Sequence, residues 1–214
     1  KEQCIGCEEC HPYCPVEAIT TVEWEGKTVS EIDQELCVEC GCCYERSSCC
    51  PVDAVVMTEL EWPRSLRAHF SNPNIKHPLT GGKGRGTEEM KTNDVTGRYR
   101  RGDTGVALEM GRPGVGTSVA DLEKVSMALA AYGVEFEPLN PVAALMADLE
   151  TGKFKEEVLK ERVLSAIIEF KVDRTRLKGV LVKIKEIAGQ IDTVFSLDLI
   201  SRLEEDGAIP TTAI

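Results

Sequence analysis

The ten cysteines of this chain constrain its fold more than any other feature, because all of them lie within the first 50 of 214 residues. The first four follow the spacing C-x2-C-x2-C-x3-C and precede a proline. A second run repeats the first three positions and reaches its own Cys-Pro pair after six intervening residues instead of three. The first run is Cys4, Cys7, Cys10 and Cys14 before Pro15, and the second is Cys37, Cys40, Cys43 and Cys50 before Pro51.

This spacing favours two [4Fe-4S] clusters over zinc or disulfides. Three thiolates of a C-x2-C-x2-C loop converge on three corners of one iron-sulfur cube, whereas the fourth lies too far along the chain and reaches a neighbouring cube. Zinc sites need four ligands and commonly use paired C-x2-C or Cys/His knuckles. Disulfides fit worse, since cysteines three residues apart in a tight loop seldom pair and nothing in the sequence indicates export.

Residues 1–60 resemble the bacterial two-cluster ferredoxins, both in these runs and in the similar segments that follow the last cysteine of each run. The resemblance implies that each cluster takes three ligands from one run and its fourth ligand from the other. It implies one cluster on Cys4, Cys7, Cys10 and Cys50, and a second cluster on Cys37, Cys40, Cys43 and Cys14.

The chain departs from the family pattern in the longer stretch before Cys50, and two cysteines remain unassigned. Cys49 could replace Cys50, and Cys42 could replace Cys43. Cys50 is favoured because a proline follows it, and Cys43 because it preserves the two-residue gap. Cys42 and Cys49 are then interpreted as small packing residues beside the clusters, with redox sensing as the alternative.

Alternating residues between the two cysteine runs predict a β-hairpin of Ile19–Trp24 and residues 27–30, with its turn at Glu25-Gly26. Residues 20–22 and 55–58 are expected to form the short outer strands that the resemblance implies.

Periodicity disappears in residues 63–104, which predicts a basic, Gly/Pro-rich linker or docking loop without helix or strand. Lys83 and Arg85 stand in a glycine-rich run whose backbone could bind an anion. The favoured interpretation is a flexible connector. His69 and His77 are expected at its surface.

Two smaller features have both a functional and a structural interpretation, and the structural one is favoured for each. Trp24 and Trp62 are expected to pack at a domain boundary and not to relay electrons. Gly114 and Gly116 are expected to form a turn that leads into a helix, although a helix N-terminus with glycine access can bind an anion.

Residues 105–214 return to a regular pattern and predict two β-α-β units in series. Such units form a four-stranded antiparallel sheet covered by two helices, the βαββαβ or split β-α-β arrangement. The architecture resembles the ferredoxin-like plait of small ligand-binding regulatory modules of the ACT type. The predicted strands are residues 106–110, 134–137, 166–172 and 193–201, and the predicted helices are residues 118–132, 141–160 and 177–187.

The overall prediction is an α+β chain in three parts. A small bacterial 2[4Fe-4S] ferredoxin domain occupies residues 1–62, the linker occupies residues 63–104, and the ACT-like α+β domain occupies residues 105–214.

Charge is distributed unevenly: the net value is −11 for the chain and also −11 for residues 1–63, against +5 for residues 64–112 and −5 for residues 113–214. Phosphate backbones repel an acidic chain, so nucleic acid is a poor candidate partner. The acidic first part favours a redox partner with a basic docking surface. The sequence has no export signal and no apolar run that could span a membrane. A cytoplasmic, oxygen-poor setting is expected, because exposed clusters are oxidatively fragile and their thiolates must stay reduced until metallated.

These features lead to three functional hypotheses. The favoured one is an iron-sulfur electron-transfer protein or subunit that passes single electrons to or from a larger oxidoreductase, with no catalytic residues of its own. A second is a ligand- or redox-sensing regulatory protein that uses the ACT-like domain. A third is a redox enzyme component that holds an anionic substrate or cofactor within residues 81–116. The first is favoured because all eight expected cluster ligands are present, which leaves no open iron position for chemistry.

Overall fold

The computed structural model describes residues 1–82 and 97–212 of the chain. Its first two strands form the predicted hairpin, in which β1 (Ile19–Trp24) pairs antiparallel with β2 (Lys27–Ile32). Gly26 has a φ of 77° at the turn, a left-handed conformation that glycine adopts without a steric penalty. The hairpin prediction is therefore confirmed.

The strand predicted over residues 55–58 is wrong. The backbone there is assigned to no strand, and β1 and β2 form a sheet of two strands by themselves. A strand needs the backbone N–H and C=O groups of a neighbour, and within the described residues no neighbour pairs with this segment.

The prediction that residues 63–104 contain neither helix nor strand is also wrong, because α1 (Ser65–Ser71) lies there and β3, described below, begins at Asp103. Leu66 and Phe70 lie one helical turn apart on α1 and join the main hydrophobic core. A helix of seven residues is too short to show a clear period in the sequence, so its packing against the rest of the molecule stabilises it.

A four-stranded antiparallel sheet dominates the rest of the described chain, with the strand order β10-β3-β9-β5. When the four strands are numbered 1 to 4 along the chain, their order across the sheet is 4-1-3-2. One helix follows strand 1 in the chain, and another follows strand 3. The predicted sheet and its two helices are thus present. The elements are β3 (Asp103–Met110), β4 (Thr117–Ser118), α2 (Val119–Ala130), β5 (Glu135–Phe136), β6 (Met146–Asp148), β7 (Lys153–Phe154), β8 (Arg162–Val163), β9 (Ala166–Asp173), α3 (Arg174–Ala188) and β10 (Phe195–Ile200).

The main core lies between this sheet and the two long helices. Val106, Leu108 and Met110 alternate along β3 and are fully buried, because every second residue of a strand points to the same face. They share one hydrophobic cluster with Leu122 of α2 and Leu177 of α3. The two helical stripes predicted from the sequence therefore cover the same face of the sheet.

The N-terminus of α2 is capped by the residue that precedes it. Ser118 Oγ accepts a hydrogen bond from the backbone N–H of Asp121 at 3.0 Å, which satisfies one of the free donors of the first turn. In the described parts of the chain, no helix combines the length and the apolar character of a membrane span.

The helix predicted over residues 141–160 is absent. The chain forms short 3-10 turns at Ala143–Leu145 and Glu156–Val158, separated by the ribbon of β6 and β7. Asp148 at the end of β6 accepts a hydrogen bond from the backbone N–H of Glu150 at 2.8 Å. Such local bonds from an aspartate compete with helical bonding and favour a turn.

Candidate metal centre

The two cysteine loops share one backbone conformation. In each loop, the residues immediately before and after the second cysteine have positive φ. Alternation of right- and left-handed residues is typical of backbone nests, in which successive N–H groups face an anion such as an iron-sulfur cluster. The four residues are Gly6 (68°) and Glu8 (60°) around Cys7, and Glu39 (54°) and Gly41 (72°) around Cys40.

The turns after the last cysteine of each run are also alike. Ala18 N–H donates to Cys14 Sγ at 3.1 Å, and Ala54 N–H donates to Cys50 Sγ at 3.1 Å. The acidic residue just before each alanine has a φ of 52° or 51°, so the chain curls back onto the sulfur in the same way. Repetition in the sequence therefore appears as repetition in the structure.

Two cavities gather nine of the ten cysteines. The first cavity has a volume of about 310 Å³ and the second about 60 Å³. Each is lined by the first three cysteines of one run and the last cysteine of the other. The cysteines of the first cavity are Cys4, Cys7, Cys10 and Cys50, and those of the second are Cys14, Cys37, Cys40, Cys43 and the additional Cys42.

The donors around these cavities fit iron-sulfur clusters. Such clusters are held by thiolates, and hydrogen bonds to the sulfurs adjust their potentials. Ser30 N–H donates to Cys4 Sγ at 3.4 Å, and this bond is the main reason why the pKa of Cys4 is lowered. Within residues 1–82 and 97–212, no group of three or more His, Cys, Asp or Glu side chains is arranged to hold a single metal ion.

The thiols of the second cavity lie deeper than Cys7, which is exposed. Burial raises the pKa of Cys40 and of Cys43 to about 12, and it also raises the pKa of Cys37. These thiols therefore keep their protons near neutral pH, and a metal that bound them would have to release those protons.

Replacing Gly41 by alanine is expected to damage the second cavity. A Cβ there would lie 2.7 Å from Asn72 Nδ2, and Asn72 is fully buried. Gly26→Ala is the matched control, because Gly26 has a similar φ of 77° and open space around it. Gly41→Ala should lower the free energy of unfolding by about 1–3 kcal/mol more than the control, through overpacking. The urea midpoints of the two variants measure this difference, and equal midpoints would contradict it.

The insertion before Cys50 is accommodated by a wide helical turn, the π-helix Cys42–Arg46. Cys42 Sγ in this turn accepts a hydrogen bond from Arg46 at 3.2 Å. Cys49 Sγ–H donates to the backbone oxygen of Cys43 at 3.3 Å, and Cys49 is not among the residues that line either cavity. The extra residues thus leave Cys50 at the first cavity.

Two arginines at the start of α1, which the cysteine spacing does not reveal, hold the second cysteine loop. Arg64 pairs with Glu39 at 2.5 Å. Arg67 pairs with Glu161 at 2.5 Å and donates to the backbone oxygen of Cys37 at 2.7 Å. The available signal was a pair of arginines three residues apart, beside Leu66 and Phe70 in the same short segment.

The structure places His77, Trp62 and Trp24 in three different environments. His77 is buried against Phe70, at 5.1 Å between ring centroids, so its predicted surface position is wrong; desolvation lowers its pKa. Trp62 is 51% exposed and donates from its indole to Glu157 at 3.2 Å, so it contacts the second half of the chain through its polar edge. Trp24 is partly buried and lies 4.9 Å from Lys27 Nζ.

The two proposed anion sites do not gain support from the structure. Gly114 and Gly116 lie in a turn whose N–H groups donate to the backbone oxygen of Gly111, as the structural interpretation predicts. Lys83 and Arg85 lie outside the described residues.

Comparison with known proteins agrees with the cysteine geometry. Residues 1–20 match a family profile described as a 4Fe-4S binding domain. A ferredoxin of Sorangium cellulosum is 32% identical over 110 residues, which is 47% of this chain and 94% of that protein. Ferredoxin-2 of Chlorobaculum tepidum is 34% identical over 58 residues, covering 26% of this chain and 87% of that protein.

A third relative is part of a larger assembly. One subunit of the ion-translocating oxidoreductase complex of Methanosarcina acetivorans is 42% identical over 52 residues, covering 24% of this chain and 17% of that protein. No solved structure has a significant match to the chain.

The cysteine loops and these matches define an iron-sulfur protein of electron transport that carries [4Fe-4S] chemistry. The chain belongs to the ferredoxin family.

Proposed function

We propose that this chain passes single electrons through two [4Fe-4S] clusters, to or from a larger oxidoreductase. Cluster 1 would be held in the first cavity by Cys4, Cys7, Cys10 and Cys50, and cluster 2 in the second cavity by Cys37, Cys40, Cys43 and Cys14. The observation that carries this proposal is the lining of the two cavities, each of which combines three cysteines of one run with the last cysteine of the other.

Each cluster supplies one-electron chemistry when bound, at a potential set by its surroundings. The protein determines those surroundings differently at the two sites. The N–H groups of Ser30 and Ala54 donate to sulfurs of the first cavity, and Ala18 N–H donates to Cys14 at the second. The residues of the second cavity are more deeply buried, which favours the less charged state of a cluster there.

The first cavity is the better candidate for contact with a partner. Ile5 and Val56 on its lining are 61% and 68% exposed, which gives an apolar surface beside the exposed Cys7. Glu8 and Glu9 line the same cavity and add negative charge. A partner with apolar side chains surrounded by lysine and arginine would be complementary to this surface. The similarity to a subunit of an oxidoreductase complex supports a partner of that class.

Electron transfer to a basic acceptor is expected to slow as salt is added. The chain is reduced with dithionite and freed of the excess reductant by anaerobic gel filtration. It is then mixed anaerobically with the basic protein cytochrome c, and haem reduction is followed by stopped flow. Attraction between exposed opposite charges is screened over about 10 Å at 0.1 M salt and about 3 Å at 1 M, so the rate should fall across this range.

The variant Glu8→Gln/Glu9→Gln should show a weaker dependence on salt, because it removes two acids of the first cavity. Glu205→Gln, which removes an exposed acid near the C-terminus, serves as the matched control and should retain the dependence of the parent. A rate that is independent of salt in the parent chain would refute docking through this acidic surface.

The domain organisation follows from the same proposal. Residues 1–62 would form the 2[4Fe-4S] ferredoxin domain, residues 63–104 the connecting segment, and residues 105–214 a split β-α-β domain of the ACT-like type. The strand order 4-1-3-2 supports the last assignment.

Exposed clusters are oxidatively fragile and their thiolates must stay reduced until metallated, so we place the protein in an oxygen-poor cytoplasm.

A further inference from the structure

A buried guanidinium connects the second cysteine loop to residues far along the chain. The side chain of Arg67 is only 4% exposed. Its Nε donates to Glu161 Oε2 at 2.5 Å, and its NH1 donates to the backbone oxygens of Gln34, Glu35 and Cys37 at 2.9, 3.2 and 2.7 Å. One side chain therefore fixes three backbone carbonyl groups in the segment that leads into the second cysteine run.

The anchor of this guanidinium lies outside the cysteine-rich residues. Glu161 is 10% exposed and immediately precedes β8. Three residues further along, Leu164 N–H donates to Ser71 Oγ of α1 at 2.8 Å. Leu164 also packs against Val38 and Cys40 of the second cysteine loop. The segment around β8 and α1 thus supports that loop by a polar and by an apolar contact.

Burying an ion pair costs desolvation free energy. The attraction between the two charges offsets this cost only when hydrogen bonds also satisfy their remaining donors and acceptors. Arginine suits the position because its charge is permanent and its donors form a fixed planar fork. Lysine would supply the charge without that fork, so it could not reach the carboxylate and the carbonyl oxygens in the same geometry.

The pair also lies where charge affects a cluster. Arg67 bonds to the backbone of Cys37, which is a ligand of cluster 2 under the function proposed above. Among the hydrogen-bond partners of Arg67 in the described chain, Cys37 is the one cysteine. Reduction adds a negative charge to a cluster, so a nearby positive charge favours the reduced state and a nearby carboxylate opposes it.

We propose that Arg67 is a positioning residue for cluster 2, and that the Arg67–Glu161 pair sets the reduction potential of cluster 2 relative to that of cluster 1. The second half of the chain would then adjust one cluster of the ferredoxin part through a single buried contact. This inference rests on the proposed function, because it requires two clusters.

The test measures both reduction potentials in the full chain with its clusters, by anaerobic titration followed with electron paramagnetic resonance. Glu161→Gln removes the negative charge and keeps the shape, so the potential of cluster 2 should rise. Arg67→Gln removes the positive charge, so the potential of cluster 2 should fall. Cluster 1 should keep its potential in both variants, and Glu205→Gln in the exposed pair with Arg101 should change neither cluster.

A merely structural role of the pair does not predict that the potential of cluster 2 shifts in opposite directions in Glu161→Gln and Arg67→Gln. Shifts of cluster 2 in the same direction in both variants, equal shifts of the two clusters, or no shift at all would overturn the proposal. Should Arg67→Gln lose cluster 2 altogether, the rise expected for Glu161→Gln still decides the question. Arg67→Lys should retain the sign of the parent charge but increase hydrogen exchange of the Glu35, Leu36 and Cys37 amides. Their N–H groups are bonded to Asp33 in the segment that the guanidinium fork holds, and the fork is lost in this variant.

The parent chain by itself tests the proposed two-cluster function, before any variant is made. A parent chain without two [4Fe-4S] signals refutes the two-cluster function, whereas two signals without opposite shifts refute only the role of the Arg67–Glu161 pair.

Discussion

Replacing Cys14 by alanine is expected to remove the cluster of the second cavity and to leave the cluster of the first cavity in place, although Cys14 follows the first cysteine run in sequence. The reason is that Cys14 lines the second cavity together with Cys37, Cys40 and Cys43. Iron content should fall from about eight to about four atoms per chain, since each [4Fe-4S] cluster contains four irons.

Double variants test this crossed ligation without any need to identify a spectrum. With crossed ligation, Cys14→Ala/Cys37→Ala affects one cluster twice and should retain about four irons, whereas Cys14→Ala/Cys4→Ala affects both clusters and should retain almost none. If each cluster were instead held by the four cysteines of one run, Cys14→Ala/Cys37→Ala would retain almost no iron and Cys14→Ala/Cys4→Ala would retain about four irons. Cys49→Ala is the control and should retain both clusters; loss of a cluster there would assign Cys49 as a ligand in place of Cys50.

Arg67→Met is expected to have the largest effect on stability outside the cysteines. The substitution leaves Glu161 buried and without its partner, and removal of one member of a buried ion pair destabilises a protein by roughly 3–5 kcal/mol. It also removes the bonds from Arg67 to the carbonyl oxygens of Glu35 and Cys37, whereas the oxygen of Gln34 still accepts from Arg64. The urea midpoint of the anaerobically prepared chain, followed by far-UV circular dichroism, measures the loss.

The double variant Arg67→Met/Glu161→Leu separates the buried charge from the geometry. Apolar replacement of both members of a buried pair often restores stability, so the double variant should recover a large part of the loss. Arg101→Met breaks an exposed pair with Glu205 and should leave the midpoint unchanged. A midpoint for Arg67→Met equal to that of Arg101→Met would contradict a structural role for the buried pair.

The candidate site could be predicted largely from local spacing. Short cysteine steps fix which thiols share a loop, and the repeated Cys-Pro turns fix where the last thiol of each run points, so the cavity linings follow from a few residues of sequence. The π-helix at Cys42–Arg46 could not be predicted, because an insertion of three residues has many possible conformations and its neighbours select one of them.

The long elements of the fold were predictable for a similar reason. β3, β9, α2 and α3 each contain enough residues for a period of two or of 3.6 to be visible. Short elements were not, because α1 and the strands β6 and β7 contain only seven, three and two residues, too few for a period to be visible. Arg67 illustrates the limit best, because its main partner, Glu161, is 94 residues away in sequence.

Iron and acid-labile sulfide content of the anaerobically purified chain tests the central claim most directly. Two cubes per molecule predict a brown protein with about eight irons and about eight sulfides, and with no zinc. A colourless protein without iron, or one that binds zinc through the same cysteines, would contradict the account.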